Sequence, residues 1–501
     1  MRLSEKGYRV LVIEKGKWHS EKDFPETNWN LKRWMWLPFL RFFGFFKLTF
    51  FRHTTILSGV GVGGGSLGYA NVLQIPTAKF FEADSWAHLA DWESELKPHY
   101  ETALEMMGAA ENPRLEAGDK ALRELAKQIG KENHFQKTNV AVYFGEPGVM
   151  VDDPYFGGEG PDRGGCNFCG GCMTGCRYNA KNTLDKNYLY FAQKNGVLIQ
   201  AESEVYDVIP IDGSNGSQGY KIRWKSSTRI FKKKGEFTAG AVIFAGGVLG
   251  TVTLLLKLKK LSLPNLSDRV GCAIRTNSES LCGVTTFDKH TVFSDGISIG
   301  SILHTDKNSH LEPVRYSAGS GFWRILMSPL VFGKNIFFRF ANIIYDWLKH
   351  PVQNLRVFFI DDFAIRTQIL LFMRTIESTL RFSRGLFGMK STLESGSPPT
   401  AFIPDAKKYA EQYSKIVNGK PVTLITETLF GMPTTAHILG GAVMGKDAGE
   451  GVIGKDNRVF GYENMYVCDG SMISANPGVN PSLSIMAITE RAVSKIPSNN
   501  S

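Results

Sequence analysis

Short apolar runs and helical hydrophobic patterns alternate along much of the chain, which predicts a mixed α/β protein. Residues 1–7 have a helical pattern closed by Gly7, and residues 8–14 form an apolar run that ends in Glu14. Helix, glycine, strand and acid in this order are typical of the second half of a dinucleotide-binding βαβ unit. The acid at the strand end of such a unit binds ribose hydroxyls, so Glu14 is predicted to do so.

The first strand of that unit and its G-x-G-x-x-G turn would come before residue 1. We therefore expect a Rossmann-like domain in which the first βα half-unit is missing. Two explanations stay open: a start codon that was assigned too late, or a real truncation that binds its nucleotide weakly or not at all. Without the turn, the helix N-terminus that neutralises a pyrophosphate would also be missing.

Further segments fit the same fold class. Strands are predicted at residues 197–200, 220–224, 240–245 and 465–468, and helices at residues 249–258 and 481–491. In the aromatic, basic segment of residues 18–51, one helical stripe contains Trp36, Phe39, Leu40, Phe43 and Phe46, and Phe42 and Phe45 widen it. That stripe predicts either a buried cap or an element that covers an apolar substrate or touches an interface.

Charge adds one feature to this picture. The net charge is +10, and residues 321–390 hold ten Lys/Arg but four Asp/Glu within an apolar, aromatic stretch. An anionic membrane surface fits this mixture better than nucleic acid, for which no motif is present. A solvated basic face is the alternative. With no export signal and no apolar run of spanning length, we expect a cytoplasmic protein with peripheral membrane contact.

A second glycine-rich segment, G-V-G-V-G-G-G-S, covers residues 59–66 and leads through Tyr69 to Asn71. Five glycines in seven residues let the backbone approach a flat or phosphorylated ligand closely. We therefore expect a ligand-binding loop here.

Four of the seven cysteines fall within eleven residues, with the spacing C-x2-C-x2-C-x3-C: Cys166, Cys169, Cys172 and Cys176. Such spacing can hold an iron–sulfur cluster. A compact turn with reduced thiols is the alternative, because Arg177 rather than proline follows the last cysteine and no second run exists. An odd, clustered cysteine count also argues against a secreted disulfide framework.

Two motifs stand near the C-terminus: His437 before a double glycine, and Asn480 just before a proline that starts a helix. Together with the preceding segments they resemble the glucose–methanol–choline (GMC) family of FAD-dependent oxidoreductases, and most closely its bacterial cholesterol-oxidase-like branch. The motifs in family order are RLSEKGYRVLVIEKG, GVGVGGGSLGYANV, CNFCGGCMTGCRYNAKNTLDKNYL, HLEPVRY, VIFAGGVLGT, TAHILGG and YVCDGSMISANPGVNPSLSIMAITERA.

The resemblance implies a set of FAD-binding residues. Residues on several segments would contact the ribose, the pyrophosphate, the flavin ring and the adenine. They are Glu14, Gly61, Gly63, Gly64, Gly65, Ser66, Asn71, Val205, Asp469, Gly470 and Gly478. It also implies catalytic residues: His437 near the substrate hydroxyl, Asn480 positioning that hydroxyl or polarising the flavin, and Glu312 of HLEPVRY as a carboxylate near the substrate.

The fold and activity follow from the same resemblance. We expect a discontinuous FAD-binding domain (residues 1–80, 160–285 and 436–501), a helical linking region (81–159) and an antiparallel-sheet substrate domain (286–435) with an apolar, basic insertion at 321–390. The implied activity is oxidation of a bulky apolar alcohol, such as a sterol, by hydride transfer to FAD, with oxygen or another electron acceptor. The alternatives are a flavin dehydrogenase that passes electrons through an iron–sulfur cluster, and a non-catalytic remnant.

Overall fold

The computed structural model describes residues 1–386 and 388–499, which fold into a mixture of helices and strands. The α-helices of this part are α1 (Arg2–Glu5), α2 (Leu31–Trp34), α3 (Ala78–Phe81), α4 (Trp92–Met106), α5 (Ala117–Gln128), α6 (Tyr188–Lys194), α7 (Gly247–Leu258), α8 (Ile336–Lys349), α9 (Pro351–Phe358), α10 (Phe363–Arg366), α11 (Pro404–Ile416), α12 (Ile425–Phe430) and α13 (Ser482–Ser494). Among these helices none is both long and apolar enough to span a lipid bilayer.

The strands of the same part are β1 (Leu11–Ile13), β2 (Trp36–Leu37), β3 (Phe42–Phe43), β4 (Phe46–Phe50), β5 (Thr55–Gly59), β6 (Ala110–Glu111), β7 (Phe135–Lys137), β8 (Asn139–Val140), β9 (Met150–Val151), β10 (Arg163–Gly164), β11 (Leu198–Gln200), β12 (Ser203–Pro210), β13 (Tyr220–Ser226), β14 (Lys234–Ala239), β15 (Val242–Phe244), β16 (Ser280–Thr286), β17 (Ser301–Asp306), β18 (Ser309–Val314), β19 (Met327–Pro329), β20 (Thr367–Arg374), β21 (Thr379–Gly385), β22 (Gly388–Ser395), β23 (Gly419–Leu424), β24 (Thr434–Thr435) and β25 (Met465–Val467).

Two short parallel pairs lie where the sequence predicts a nucleotide-binding fold. Strand β1 pairs with β11, and β15 pairs with β25. The chain passes from β15 through Gly246 into α7, whose leucines pack into the largest apolar core together with the C-terminal helix α13. The strands, α7 and α13 agree with the predicted segments to within a few residues.

A seven-stranded antiparallel sheet forms the second part, in the order β19-β23-β16-β20-β18-β17-β7. Strand β18, S-H-L-E-P-V, is buried at every position because β17 and β20 pair with it on its two sides and other elements cover its faces. An interior strand of a covered sheet carries mostly apolar side chains, so the buried carboxylate of Glu312 in the middle of β18 is exceptional.

The prediction of a helical stripe from Trp36 to Phe46 is wrong. After β2 the chain turns at Pro38–Leu40 and Arg41, which has a left-handed φ of 60°. It returns as β3, which pairs antiparallel with β2, and continues into β4. Gly44 is needed because an added Cβ would come within 2.3 Å of the Trp34 backbone. Tertiary packing of the aromatic rings therefore overrides the helical spacing; the Trp34 ring stacks on Phe46 with centroids 5.0 Å apart.

Candidate active site

The glycine-rich loop follows β5 directly and contains backbone conformations that favour glycine. Gly61, Gly63 and Gly64 have φ values of 152°, 108° and 57°. A Cβ added at Gly64 or Gly65 would meet no atom within 4 Å, so this part of the loop faces open space. Ser66 closes the loop, since its hydroxyl donates to the Gly63 carbonyl oxygen at 2.6 Å and accepts from the Leu184 amide at 3.0 Å.

Glu14 lies at the carboxyl end of β1 and contacts this loop. Its Oε1 accepts hydrogen bonds from the amides of Gly16 at 2.6 Å and Gly61 at 3.1 Å. Burial raises the pKa of this carboxyl above its ordinary value, although the amide donors oppose the rise. The Ser203 amide donates to the Glu14 carbonyl oxygen, which places β12, and Val205 on it, beside the end of β1.

Asn71 stands beyond the loop and is fully buried. Its φ of 71° is left-handed, and neither polar atom of its side-chain amide has a hydrogen-bond partner among the described residues. A buried amide without partners costs on the order of 1–3 kcal/mol. Asn71 is therefore suited to hydrogen-bond a polar group that is not part of the chain.

Asp469 ends strand β25 beside the start of α7. Its carboxylate accepts hydrogen bonds from the Thr251 hydroxyl at 2.5 Å and from the Ser471 amide at 2.7 Å. Burial raises the pKa of Asp469. At the first residue of α7, Gly247 has a φ of 68°, and an added Cβ would meet no atom within 4 Å. This helix start and the adjoining Gly470 thus form a second wall of small residues.

His437 follows β24 and forms an ion pair that is largely buried. Its Nδ1–H donates to Oε1 of Glu279, a residue that lies immediately before β16 and is 3% exposed. Burial alone would lower the pKa of His437, but the carboxylates of Glu279 and, further away, Glu312 outweigh it and raise the pKa above its ordinary value. The pair fixes the orientation of the imidazole and leaves Nε2 for another partner.

Glu312 and Asn480 meet from opposite ends of the sequence. Nδ2 of Asn480 donates to Oε2 of Glu312 at 3.4 Å, and Oδ1 of Asn480 has no partner among the described residues. Nε2 of His310 lies 3.4 Å from Oε1 of Glu312 without hydrogen-bond geometry. We call Glu279, His310, Glu312, His437 and Asn480 the buried polar cluster.

One loop connects both C-terminal segments. Asn277 and Ser278 have left-handed φ values of 57° and 49° and precede Glu279. The Asn277 side chain accepts from the Gly478 amide and donates to the Val479 carbonyl oxygen, both at 3.1 Å. Gly478 must be glycine, because its φ is 63° and an added Cβ would come within 2.0 Å of Oγ1 of Thr375. The loop therefore holds His437 through Glu279, and the segment of Asn480 through Asn277.

Sequence reasoning missed Glu279, Asn277 and His310. A usable signal was present at Glu279, an acid directly before the start of a strand, whereas Glu14 and Asp469 lie after the ends of theirs. His310 lies two residues before Glu312 on β18, and the alternation of a strand puts both side chains on one face of the sheet. The predicted residues His437, Glu312 and Asn480 do lie together.

The structure does not support a metal centre at the cysteine run. No group of three or more His, Cys, Asp or Glu side chains among the described residues is arranged to hold a metal ion. Cys166 packs in an apolar cluster with Cys172 and Cys176 against it, and burial raises the pKa of Cys166 and brings that of Cys169 to about 11. Thiols that stay protonated in apolar surroundings are poor ligands, which favours the alternative of a compact turn.

The turn of the cysteine run supports the glycine-rich loop through Lys181. Its buried ammonium donates to the carbonyl oxygens of Leu67, Tyr69 and Cys172 at 3.0, 2.9 and 2.9 Å. Burial lowers the pKa of Lys181 to about 8. The cysteine segment thus fixes the chain just after the loop.

The residues present fit an FAD. Open space faces Gly64, Gly65 and Gly247, where a flat ligand can approach the backbone, and Asn71 and Asn480 keep buried polar atoms without partners in the described chain. These atoms and glycines come from segments far apart in sequence. Such convergence is what a long, flat cofactor with polar edges requires.

Comparison with known proteins supports the same assignment. Residues 373–489 match the family model described as GMC oxidoreductase. The chain is 43% identical to a cholesterol oxidase of Acinetobacter baumannii, with 99% of this chain and 91% of the relative covered. It is 38% identical to a cholesterol oxidase of Mycobacterium tuberculosis, with 99% and 88% covered.

A solved structure shows the same fold at low identity. Pyridoxine 4-oxidase from Mesorbium loti superimposes with a TM-score of 0.62 and 14% sequence identity, covering 99% of this chain and 95% of that chain.

Proposed function

The chain belongs to the GMC family and is an FAD-dependent oxidoreductase that acts on CH–OH donors, and on that premise we propose that its substrate is a bulky apolar alcohol, a sterol in the first place. The observation that carries the proposal is the buried polar cluster, which brings two imidazoles, two carboxylates and an amide together in the interior of the protein.

The first part of the proposal concerns the cofactor. Glu14 and β12 with Val205 would hold the adenosine end, and the loop with Gly61, Gly63 and Ser66 would lie along the pyrophosphate. Asn71 and Asp469 would contact the flavin and ribityl portions, with Gly470 and Gly478 close to the ring. FAD, when bound, supplies the acceptor for the hydride that leaves the carbinol carbon.

His437 has the central role in proton handling. Because Glu279 engages Nδ1, Nε2 is the ring nitrogen that meets the substrate hydroxyl. In its neutral form His437 accepts the hydroxyl proton at Nε2, and the neighbouring carboxylate stabilises the imidazolium that results. Glu279 is then a positioning residue that sets the orientation and charge of His437.

Asn480 and Glu312 complete the site. The Asn480 amide has a second N–H besides the one that donates to Glu312, and this N–H positions the substrate hydroxyl by donating to its oxygen while the hydroxyl proton faces Nε2 of His437. Glu312 holds the Asn480 amide and gives the proton a second acceptor within the cluster. The alcohol loses two electrons and two protons and becomes a carbonyl compound; oxygen takes up both and becomes hydrogen peroxide.

The preference for an apolar substrate has two supports. Glu312 pairs in register with Leu371 on β20, and His310 pairs with the buried Met373 of the same strand, so this face of the sheet is apolar apart from the cluster. The relatives that are 43% and 38% identical to this chain are named cholesterol oxidases.

The domain assignment is part of the proposal. Residues 1–80, 160–285 and 436–501 would bind FAD, residues 286–435 would cover the substrate, and residues 81–159 would link the two. The polar cluster draws on both parts, since Glu279, His437 and Asn480 lie in the first and Glu312 in the second.

The test combines a spectrum with anaerobic reduction. The purified chain is scanned for flavin absorbance, the flavin released on denaturation is quantified, and the enzyme is mixed without oxygen with cholesterol in detergent micelles, a long-chain primary alcohol or choline. We expect bound FAD that cholesterol reduces much faster than choline, and hydrogen peroxide when air is admitted. A chain without flavin, or a flavin that no apolar alcohol reduces, would overturn the proposal.

The same experiment separates an oxidase from a dehydrogenase. If cholesterol reduces the flavin and admitted oxygen does not reoxidise it, the acceptor is not oxygen and that part of the proposal fails. The substrate assignment would stand in that case, because reduction is measured before any acceptor is added.

A further inference from the structure

Helix α8 is oriented with its polar side toward the protein and its apolar side toward the solvent. Phe337, Phe340, Ile344, Tyr345 and Leu348 fall on one stripe of the helix and are exposed, Phe337 by 81% and Leu348 by 76%. The following helix α9 adds Val352, which is 67% exposed. We call these six residues the outward apolar face.

The orientation of α8 is set by polar contacts on its inner side. Arg339 donates to the Leu429 carbonyl oxygen at 2.9 Å, and Asn342 donates to the Phe332 carbonyl oxygen at 2.7 Å. Asp346 forms a 2.8 Å ion pair with Lys420, a buried lysine on β23. Rotating the helix to bury its phenylalanines would break these bonds, so the apolar residues are held outward.

The charges around this face decide what covers it. Lys334, Lys349 and Arg356 form no ion pair with any carboxylate among residues 1–386 and 388–499. The acids of the same segment are engaged: Asp346 with Lys420, Asp361 with Arg366, and Asp362 with backbone amides at the start of α10. Apolar aromatic residues beside uncompensated cations match the acyl region and the anionic headgroups of a lipid bilayer.

A second copy of the chain fits less well. Two identical faces related by a twofold axis would bring Lys334, Lys349 and Arg356 of both copies together, and like charges at an interface are unfavourable. We propose that the outward apolar face lies on an anionic membrane surface, with α8 and α9 in the interfacial plane.

The face connects to the candidate active site through α12. Helix α8 packs on α12, which ends at Phe430, and the chain reaches His437 seven residues later. A role for this connection in substrate entry rests on the proposed function. An apolar alcohol resides in lipid and has to pass from the bilayer to the buried polar cluster.

Vesicle binding tests this surface without any turnover. The full-length protein is sedimented with vesicles of phosphatidylcholine and phosphatidylglycerol, and with vesicles of phosphatidylcholine alone. We expect binding to the anionic vesicles that weakens as salt is added. The double variant Phe337→Asp/Leu348→Asp should bind at least ~10-fold more weakly. The matched control is Phe231→Asp, because Phe231 is 91% exposed between β13 and β14.

Three further measurements keep the test decisive. The fluorescence of Trp347, which is 38% exposed on α8, should be quenched by brominated lipid. The Trp347→Phe variant should lack the part of the quenching that Trp347 contributes. Lys334→Glu/Lys349→Glu should reduce binding to the anionic vesicles. The Phe337→Asp/Leu348→Asp variant should keep its oxidation rate with cholesterol in detergent micelles and lose it with cholesterol in vesicles.

Two results would overturn the proposed membrane contact. One is that the protein binds neither kind of vesicle, and the other is that Phe337→Asp/Leu348→Asp and Phe231→Asp bind equally well. A wild-type dimer that this double variant dissociates, found without vesicle binding, would replace the bilayer by a second copy. If the vesicle results are as expected but no alcohol reduces the flavin, the proposed function fails and the membrane surface stands.

Discussion

Folded proteins normally bury apolar side chains and expose charged ones. The buried polar cluster and the outward apolar face depart from this rule in opposite directions. The cluster places the carboxylates of Glu279 and Glu312 inside the protein, and the face places phenylalanines in contact with solvent. Each arrangement has a cost: an unpaired buried charge costs several kcal/mol, and exposed apolar surface forgoes about 25 cal/mol per Å². A fold retains such departures where chemistry or a partner requires them.

The two regions differ in how the cost is met. Within the cluster two pairs of side chains satisfy part of each other's hydrogen-bonding capacity, Glu279 with His437 and Asn480 with Glu312, while Oε1 of Glu312 and Oδ1 of Asn480 have no hydrogen-bond partner in the described chain. The outward face has no such partner in the described chain, so only an outside surface can cover it. The comparison teaches that a buried charge indicates where chemistry takes place, whereas an uncovered apolar stripe indicates where another phase or molecule makes contact.

Removing the imidazole from the cluster should have the largest effect. We expect His437→Ala to slow anaerobic flavin reduction by cholesterol by ~10²–10⁴-fold, because the hydroxyl proton loses its acceptor. The amount of flavin bound should stay the same. Stopped-flow absorbance measures the rate, and denaturation followed by a flavin assay measures the content. An unchanged rate would remove His437 from the mechanism.

Glu279→Gln is the companion variant for this prediction. Glutamine keeps an oxygen that can accept from Nδ1 but carries no charge, so the pKa of His437 should fall. The pH at which the reduction rate changes should therefore move to lower pH, a shift that a merely structural role of Glu279 would not produce.

A second, smaller effect concerns Glu427, which is buried in α12 between the two regions. Burial raises the pKa of this carboxyl from 4.5 to about 8, although the Thr434 amide donates to it at 3.1 Å. The folded chain therefore holds this proton more tightly than the unfolded chain does. The resulting contribution to stability is complete below about pH 4.5 and is lost as the pH rises towards about 8, by up to roughly 1.4 kcal/mol per pH unit.

Urea denaturation across that pH window checks the expectation. Glu427→Gln should remove this part of the decline in the free energy of unfolding, since glutamine does not titrate. Glu411→Gln is the matched control, because Glu411 is an exposed carboxylate on α11. Equal pH dependence in wild type and Glu427→Gln would show that Glu427 ionises normally in the folded protein.

The smallest expected effect is on the outward face in the absence of lipid. Phe337→Ser should change the free energy of unfolding by no more than about 0.5 kcal/mol, because its ring is not packed in a core. Phe372→Ala on β20, where the ring is 1% exposed, should cost about 3–5 kcal/mol and serves as the contrast. Urea denaturation without lipid measures both. A large loss with Phe337→Ser would mean that the face is already covered in solution.

The sequence predicted several elements of the site correctly and failed at identifiable places. The strand before Glu14, the glycine-rich loop, α7 and the helix after Asn480 all follow from local patterns. The helical stripe predicted from Trp36 to Phe46 failed because apolar spacing cannot detect a tight turn that reverses the chain. The iron–sulfur prediction failed to find support because thiol spacing alone does not show whether side chains converge or turn into an apolar cluster.

By itself the sequence determined the elements, the glycines that turns require, and the kinds of residue available for chemistry, because these depend on neighbours a few positions apart. Only the tertiary structure decided which side chains meet: Glu279 and His437 are 158 residues apart, and Glu312 and Asn480 are 168 apart. It also decided that α8 presents its phenylalanines to the solvent, since hydrophobic periodicity defines two faces of a helix but not which one the protein contacts. The ion pair between Asp346 and Lys420 made that choice, because a buried ammonium has to be matched by a carboxylate.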